Sequence, residues 1–191
     1  MAGKQAKVLC DKHVKAALTA VKDTRYPSRN CAILLLSIKA GLRAGEIANL
    51  TWPMVCDANA MIGDAIELHD VAAKKCSGRT IPLHKALKAA LAVLRREDQS
   101  NGPVIRSERG DAMTPASIVN WFAAFYRRLE LHGCTSHSGR RTFITKAARL
   151  VHRTGGSLRD IQQLAGHRSI EMTQRYIDGN TQAKRKLIEL L

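Results

Sequence analysis

CAILLLSIKAGLRAGEIANL, residues 31–50, is apolar on nearly every side of a helix as far as Gly41, and then turns polar within a few residues. A helix without a polar face belongs in the middle of a domain. Glycine at its end supplies the left-handed residue that commonly closes a helix. AGEIANL then restarts a short helix that leads to Trp52. The stretch predicts a central buried helix that delivers Arg43 just beyond its end.

The flanking segments have faces that fit such a centre. Upstream, Asp11 is placed to cap a helix whose Val14, Ala17, Leu18 and Val21 recur at i, i+3, i+4 and i+7. The turn signal RYPSRN separates it from the central helix. Downstream, from Ala60 to Leu83, the pattern changes to AIELHDVAAKK, a break at CSG, and RTIPL. This predicts two or three short antiparallel strands with a tight turn at Ser77 and Gly78. Helical spacing returns at Leu87, Ala90, Leu91 and Leu94. Thr114 followed by Pro115 opens a further helix with Ile118, Trp121, Phe122 and Phe125 on its inner face. Thr135 or Ser136 caps HSGRRTFITKAARLV, Ser157 caps LRDIQQLAG, and Ser169 caps IEMTQRYI. The expected fold class is mainly α with a small antiparallel β-sheet. A short tail, QAKRKLIELL, carries Leu187, Ile188 and Leu191 on one side, a stripe that needs a cover.

Composition narrows the function. The chain has 191 residues, 45% of them hydrophobic, enough for one principal domain. Lysine and arginine total 31 against 16 acidic residues, a formal charge of +15. That balance points to a phosphate backbone, DNA or RNA, as partner. No apolar run long enough to span a membrane appears, and MAGKQAKVLC lacks the apolar region of a secretory signal. The expectation is a cytoplasmic protein with no membrane partner. The five cysteines are scattered without a CxxC pair, and His132, Cys134 and His137 fit no common zinc spacing.

The polar residues at helix ends carry the chemistry. Arg43 follows the central helix, His137 and Arg140 open another, His167 follows the Gly166 cap, and Tyr176 stands nine positions on. His137 and Arg140 are three apart, so they share a helical face. Near a helix N-terminus, free N–H groups and the dipole favour an anion. Arginine forks match phosphate oxygens. Two arginines and two histidines there suit one phosphate group. Singly, Arg43 reads as a helix-end charge and Tyr176 as a packing residue. The set decides between these readings.

GLRAGEIANL, KKCSGRTIPL, HSGRRTF, LAGH and the later tyrosine resemble the catalytic domain of the tyrosine recombinases, the phage integrase family, over nearly the whole chain. The resemblance implies the family's DNA breaking-rejoining fold and a division into an N-terminal extension (1–10), a catalytic domain (11–182) and a tail (183–191) that docks on a neighbouring subunit or packs on its own domain. It assigns the catalytic set Arg43, Lys74, His137, Arg140, His167 and Tyr176, with Glu46 in support. Lys74 is counted back eight residues from Pro82, with Lys75 as a rival. Two positions depart from the usual motif. Gly139 stands where a large apolar residue is common, which would loosen the helix by about 1 kcal/mol relative to alanine, and Arg141 stands where a histidine is common.

The implied reaction is site-specific cutting and rejoining of double-stranded DNA through a 3′-phosphotyrosyl link, by a homo-oligomer that is tetrameric in the synaptic complex. It uses no cofactor, no metal and no small-molecule substrate, and it places the protein at the nucleoid when DNA is bound. Two rival readings are a type IB topoisomerase-like relaxation of strands and a catalytically silent DNA-binding regulator of the same fold. Only about ten residues precede the first expected helix. Either this is a catalytic-only member or a piece of a longer protein. Without a second DNA clamp, weak and salt-sensitive binding is expected, because fewer phosphates are neutralised.

Overall fold

The computed structural model describes residues 6–73, 78–97, 101–176 and 188–189. Lys74, Lys75 and Ser77 lie outside the described residues, as does all of the C-terminal tail except 188–189.

Helix α1 (Asp11–Ala20) packs through Ala17, with Val14 and Leu18 at the edge and Val21 buried in the short 3-10 turn that follows. Asp11 is the first helical residue and Cys10 takes the cap position. The Asp11 carboxylate instead forms an ion pair with Lys146, far along the chain. Helix α2 (Pro27–Lys39) begins at a proline whose missing N–H is no loss in the first turn. Its Ile33, Leu34, Leu35, Leu36 and Ile38 are all buried, and it contacts helices on two sides. It is the central helix that residues 31–50 require. Gly41 ends it with φ of +66°, and the short α3 (Ala44–Ala48) follows.

The sheet has two strands among the described residues, β1 (Ala65–Leu68) and β2 (Arg79–Pro82), paired antiparallel with Ile66 opposite Ile81 and Leu68 opposite Arg79. Ile66, Leu68 and Ile81 face the core while Glu67 and Thr80 face out, the period-2 alternation of a half-buried sheet. Gly78 sits tight at the mouth of the hairpin, its N–H donating to the Asp70 carboxylate at 2.7 Å.

Helix α4 (Lys85–Glu97) lays Leu87, Leu91 and Leu94 against α2. Helix α5 (Pro115–Arg128) is capped by the Thr114 hydroxyl, which accepts from Ser117 N–H at 3.1 Å. Ile118, Phe122 and Phe125 are buried as expected. Trp121 is only partly so, stacked on Phe125 at 5.0 Å, and Tyr126 takes the inner place instead. All of these belong to one large apolar cluster.

Helix α6 (Ser138–Leu150), a 3-10 turn (Val151–Thr154), α7 (Leu158–Ala165) and α8 (Ile170–Gln174) complete the fold. The cap of α6 is His137, not Thr135 or Ser136. Thr135 lies two positions too early because the segment folds back on itself: its hydroxyl accepts from His137 N–H, and its N–H donates to Ser138 Oγ. Ser157 opens α7 with Asp160 accepting from its N–H at 2.7 Å, and Gly166 closes it at φ +60°. Ile144, Val151, Ile161 and Ala165 form a second, smaller apolar cluster, with Phe143, Leu158 and Tyr176 packed on it.

Candidate active site

Three consecutive backbone carbonyls at the end of α7 organise the site. Leu164 O accepts from Arg79 Nε at 2.9 Å, Ala165 O from Arg140 Nη2 at 2.5 Å, and Gly166 O from Arg43 Nη2 at 3.5 Å. The last carbonyls of a helix lack intrahelical partners and sit at the negative end of its dipole, so guanidinium groups are their natural caps. The three arginines come from β2, α6 and the start of α3. They lock the small cluster onto the large one.

Glu46 holds two of these arginines together. Its carboxylate is 1% exposed and accepts from Arg43 Nη1 at 2.6 Å and from Arg79 Nη1 and Nη2 at 3.2 and 3.0 Å. It also accepts the Arg43 backbone N–H at 2.9 Å, the acidic half of a capping arrangement on α3. Burial opposes its ionisation, but the hydrogen bonds and charge of Arg79, with the N–H and charge of Arg43, outweigh it and hold the carboxyl below its ordinary range.

Arg140, 4% exposed, also donates through Nη1 to Gly41 O at 2.7 Å. Gly41 is required there, since a Cβ would stand 2.5 Å from the Phe143 ring and its φ is left-handed. Burial first, and then the neighbouring Arg43, pushes the Arg140 pKa down to about 9, which leaves the group cationic at neutral pH. Gly139 has a packing reason too. A Cβ would stand 2.2 Å from Ser37 Oγ, so α6 meets α2 so closely that the large apolar residue of the usual motif has no room. The helix continues unbroken through it.

His167, 7% exposed, sets its Nδ1 2.9 Å from Thr173 Oγ1. Burial, followed by Arg140, Arg43 and Arg79, lowers its pKa to about 4. The ring is therefore neutral at pH 7. If the Thr173 hydroxyl donates to Nδ1, Nε2 carries the hydrogen and is a donor. His137 is exposed at the rim, and burial of its ring with the charges of Arg140 and Arg43 also lowers its pKa. It too is neutral at pH 7, and so able to accept a proton.

Tyr176 lies just past the end of α8, which stops at Gln174 rather than running through Ile177. Its N–H donates to Thr173 O at 3.0 Å in a closing turn. Its ring stacks on His167 at 5.6 Å between centroids and packs against the small cluster.

A cavity of about 760 Å³ is lined by Arg43, His137, Arg140, Arg141, His167, Met172, Arg175 and Tyr176, among others. Five of the residues singled out in the sequence thus share one wall. Glu46 stands behind it, lining an adjacent cavity with Arg43, His137 and Ala73. Lys74 lies outside the described residues, one position beyond Ala73. Sequence reasoning missed Arg79, although a signal existed. Arg79 is two residues before the inward-facing Ile81, so strand alternation turns its charge inward, where it needs a partner.

The phage integrase family profile matches residues 7–183. The chain belongs to the phage integrase family. Among relatives in this family, the tyrosine recombinase XerC of Brucella suis biovar 1 (strain 1330) is 31% identical over 160 residues, covering 81% of this chain and 48% of that protein. The chain spans about half the length of the curated relatives it matches. The fold is that of family recombinases. The crystal structure of XerA recombinase superposes with a TM-score of 0.75 at 24% identity, over 96% of this chain and 64% of that one. The Tn1549 transposon integrase in complex with a circular intermediate DNA gives 0.76 at 18%, over 100% and 67%. Among the described residues no helix is long and apolar enough to cross a membrane.

Proposed function

We propose that this chain cuts and rejoins double-stranded DNA at specific sites, with Tyr176 as the nucleophile. The single observation that carries the reading is the gathering of Arg43, His137, Arg140, His167 and Tyr176, from four separated stretches of the chain, around one cavity. Electrostatics support it. Arg43, Arg79 and Arg140 are balanced by one buried carboxylate, Glu46, so the wall keeps a cationic surplus fitted to a phosphodiester.

In the proposed reaction the phenolic oxygen of Tyr176 attacks phosphorus while its proton passes to neutral His137. Arg43 and Arg140, held by carbonyls and by Glu46, grip the non-bridging oxygens as negative charge builds on them. His167 donates a hydrogen bond to the same group. The P–O5′ bond breaks, and Lys74 protonates the departing 5′ oxygen. A 3′-phosphotyrosyl ester remains, and a 5′ hydroxyl from another strand reverses the steps to rejoin. Four copies on two duplexes would exchange strands in this way, in the cytoplasm at the nucleoid.

The test is a search for SDS-resistant protein–DNA adducts on a pool of nicked duplexes from the surrounding genome. Wild-type protein forms them, and Tyr176→Phe and Arg140→Ala do not. Adducts that persist in Tyr176→Phe would refute the assignment. Specific DNA binding without adducts would favour the regulator.

A further inference from the structure

Arg141 is a residue of the cavity wall that the mechanism leaves unused. It follows Arg140 on α6, is half-buried and lines the same cavity as Arg43 and Tyr176. Its guanidinium carbon lies 5.9 Å from the centroid of the Tyr176 ring. Its Nε is buried and has no hydrogen-bond partner among the described residues.

The neighbouring arginines differ in this respect. Arg140 rests on Gly41 O and Ala165 O, and Arg43 on Glu46 and Gly166 O. Their forks are held by the protein, with the remaining N–H groups left for a ligand. A buried N–H of a cation that meets no acceptor is unfavourable, so the side chain is under-satisfied where it rests and gains by turning toward an acceptor in the cavity. The wall also carries Arg175, and Glu46 is committed to Arg43 and Arg79 behind it. What completes such a wall is an anion with several acceptor oxygens.

We propose that Arg141 is a third phosphate-binding arginine of this site, its guanidinium turning to donate to a non-bridging oxygen of the reacting phosphate while it stays packed beside the Tyr176 ring. The proposal rests on the reading of the cavity as a phosphate site. One residue then binds the electrophile and steadies the nucleophile beside it, so phosphate and ring are brought into register by one side chain.

The probe is inorganic phosphate, titrated to about 50 mM while the histidine ring resonances of His137 and His167 are followed by NMR. Wild-type protein shifts both signals in a saturable way. Arg141→Ala weakens the apparent affinity about tenfold or more, the loss of one charge-assisted hydrogen bond. Arg141→Lys keeps the charge without the planar fork and falls between, which also covers the case that the alanine variant does not fold. If Arg141→Ala and Arg141→Lys both titrate like wild type while Arg43→Ala loses binding, Arg141 only packs on the ring and the proposal is overturned. Absence of any saturable shift in wild type overturns it as well. Strand cutting is judged separately by the adducts. A protein that binds phosphate through Arg141 yet forms none would sink the recombinase reading and leave this assignment standing.

Discussion

The two apolar clusters of this protein do different work. The large one, from Leu9 through α2 to Tyr126, fixes the start of α3 and with it Arg43. The small one, Ile144, Val151, Ile161 and Ala165, carries His167 and Tyr176. So few buried side chains among the described residues give α7 and α8 little stability of their own, and such elements open at lower free energy than a core. Their attachment depends on Arg79, Arg140 and Arg43 capping three successive carbonyls. The phosphate grip is thus built on the rigid part and the nucleophile on the adjustable part, and the arginine caps join them together with a limited apolar contact at Leu164.

The most severe way to break that contrast is to remove the buried carboxylate. Glu46→Ala leaves Arg43 and Arg79 without their anion and should cost about 3–5 kcal/mol, measured by denaturant unfolding, with phosphate binding lost as well. A loss below about 1 kcal/mol would mean that the arginines do not depend on Glu46. Gly139→Ala attacks the contact of α6 with α2, where the new methyl meets Ser37. An overpacking cost of about 1–3 kcal/mol is expected, seen as a lower midpoint at unchanged denaturant slope.

Acid sharpens the contrast by acting most strongly on the small cluster. The folded-state pKa of His167 is lowered from 6.5 to about 4, so between these values the unfolded chain binds the extra proton and stability falls as pH falls. The full effect is at most about 3 kcal/mol, nearer 1–2 after screening by solvent in the open cavity. Hydrogen exchange at pH 7 and pH 5 should show α7 and α8 amides losing protection while α2 keeps it, after correction for intrinsic rates. Equal loss in both would remove the distinction. The smallest effect is expected from Thr114→Ala, which deletes the cap of α5 in the large cluster. It should lower stability by about 1 kcal/mol and leave adduct formation unchanged.

Much of this was legible in the sequence because it is local. The central helix follows from an apolar run closed by Gly41, and α4 from its leucine spacing. The hairpin follows from the change of period at Ala60 to Leu83. The order Arg43, His137, Arg140, His167, Tyr176 marked the cavity because the resemblance fixed it. What escaped depends on distant backbone. Nothing in the residues near Arg79 announces that Leu164 O will receive it, and Gly139 reads as a weakness until Ser37 is beside it. His137 became the cap because the preceding turn folds back, and α8 ends early because Tyr176 turns onto the small cluster, a tertiary gain that outweighs helix continuation.

The central claim is that Tyr176 becomes covalently joined to DNA. Digestion of the trapped adduct with trypsin and nuclease, followed by mass spectrometry, should find the nucleotide mass on the peptide YIDGNTQAK, residues 176–184, at the tyrosine. A nucleotide on any other peptide, or an adduct whose tyrosine is unmodified, would contradict the account.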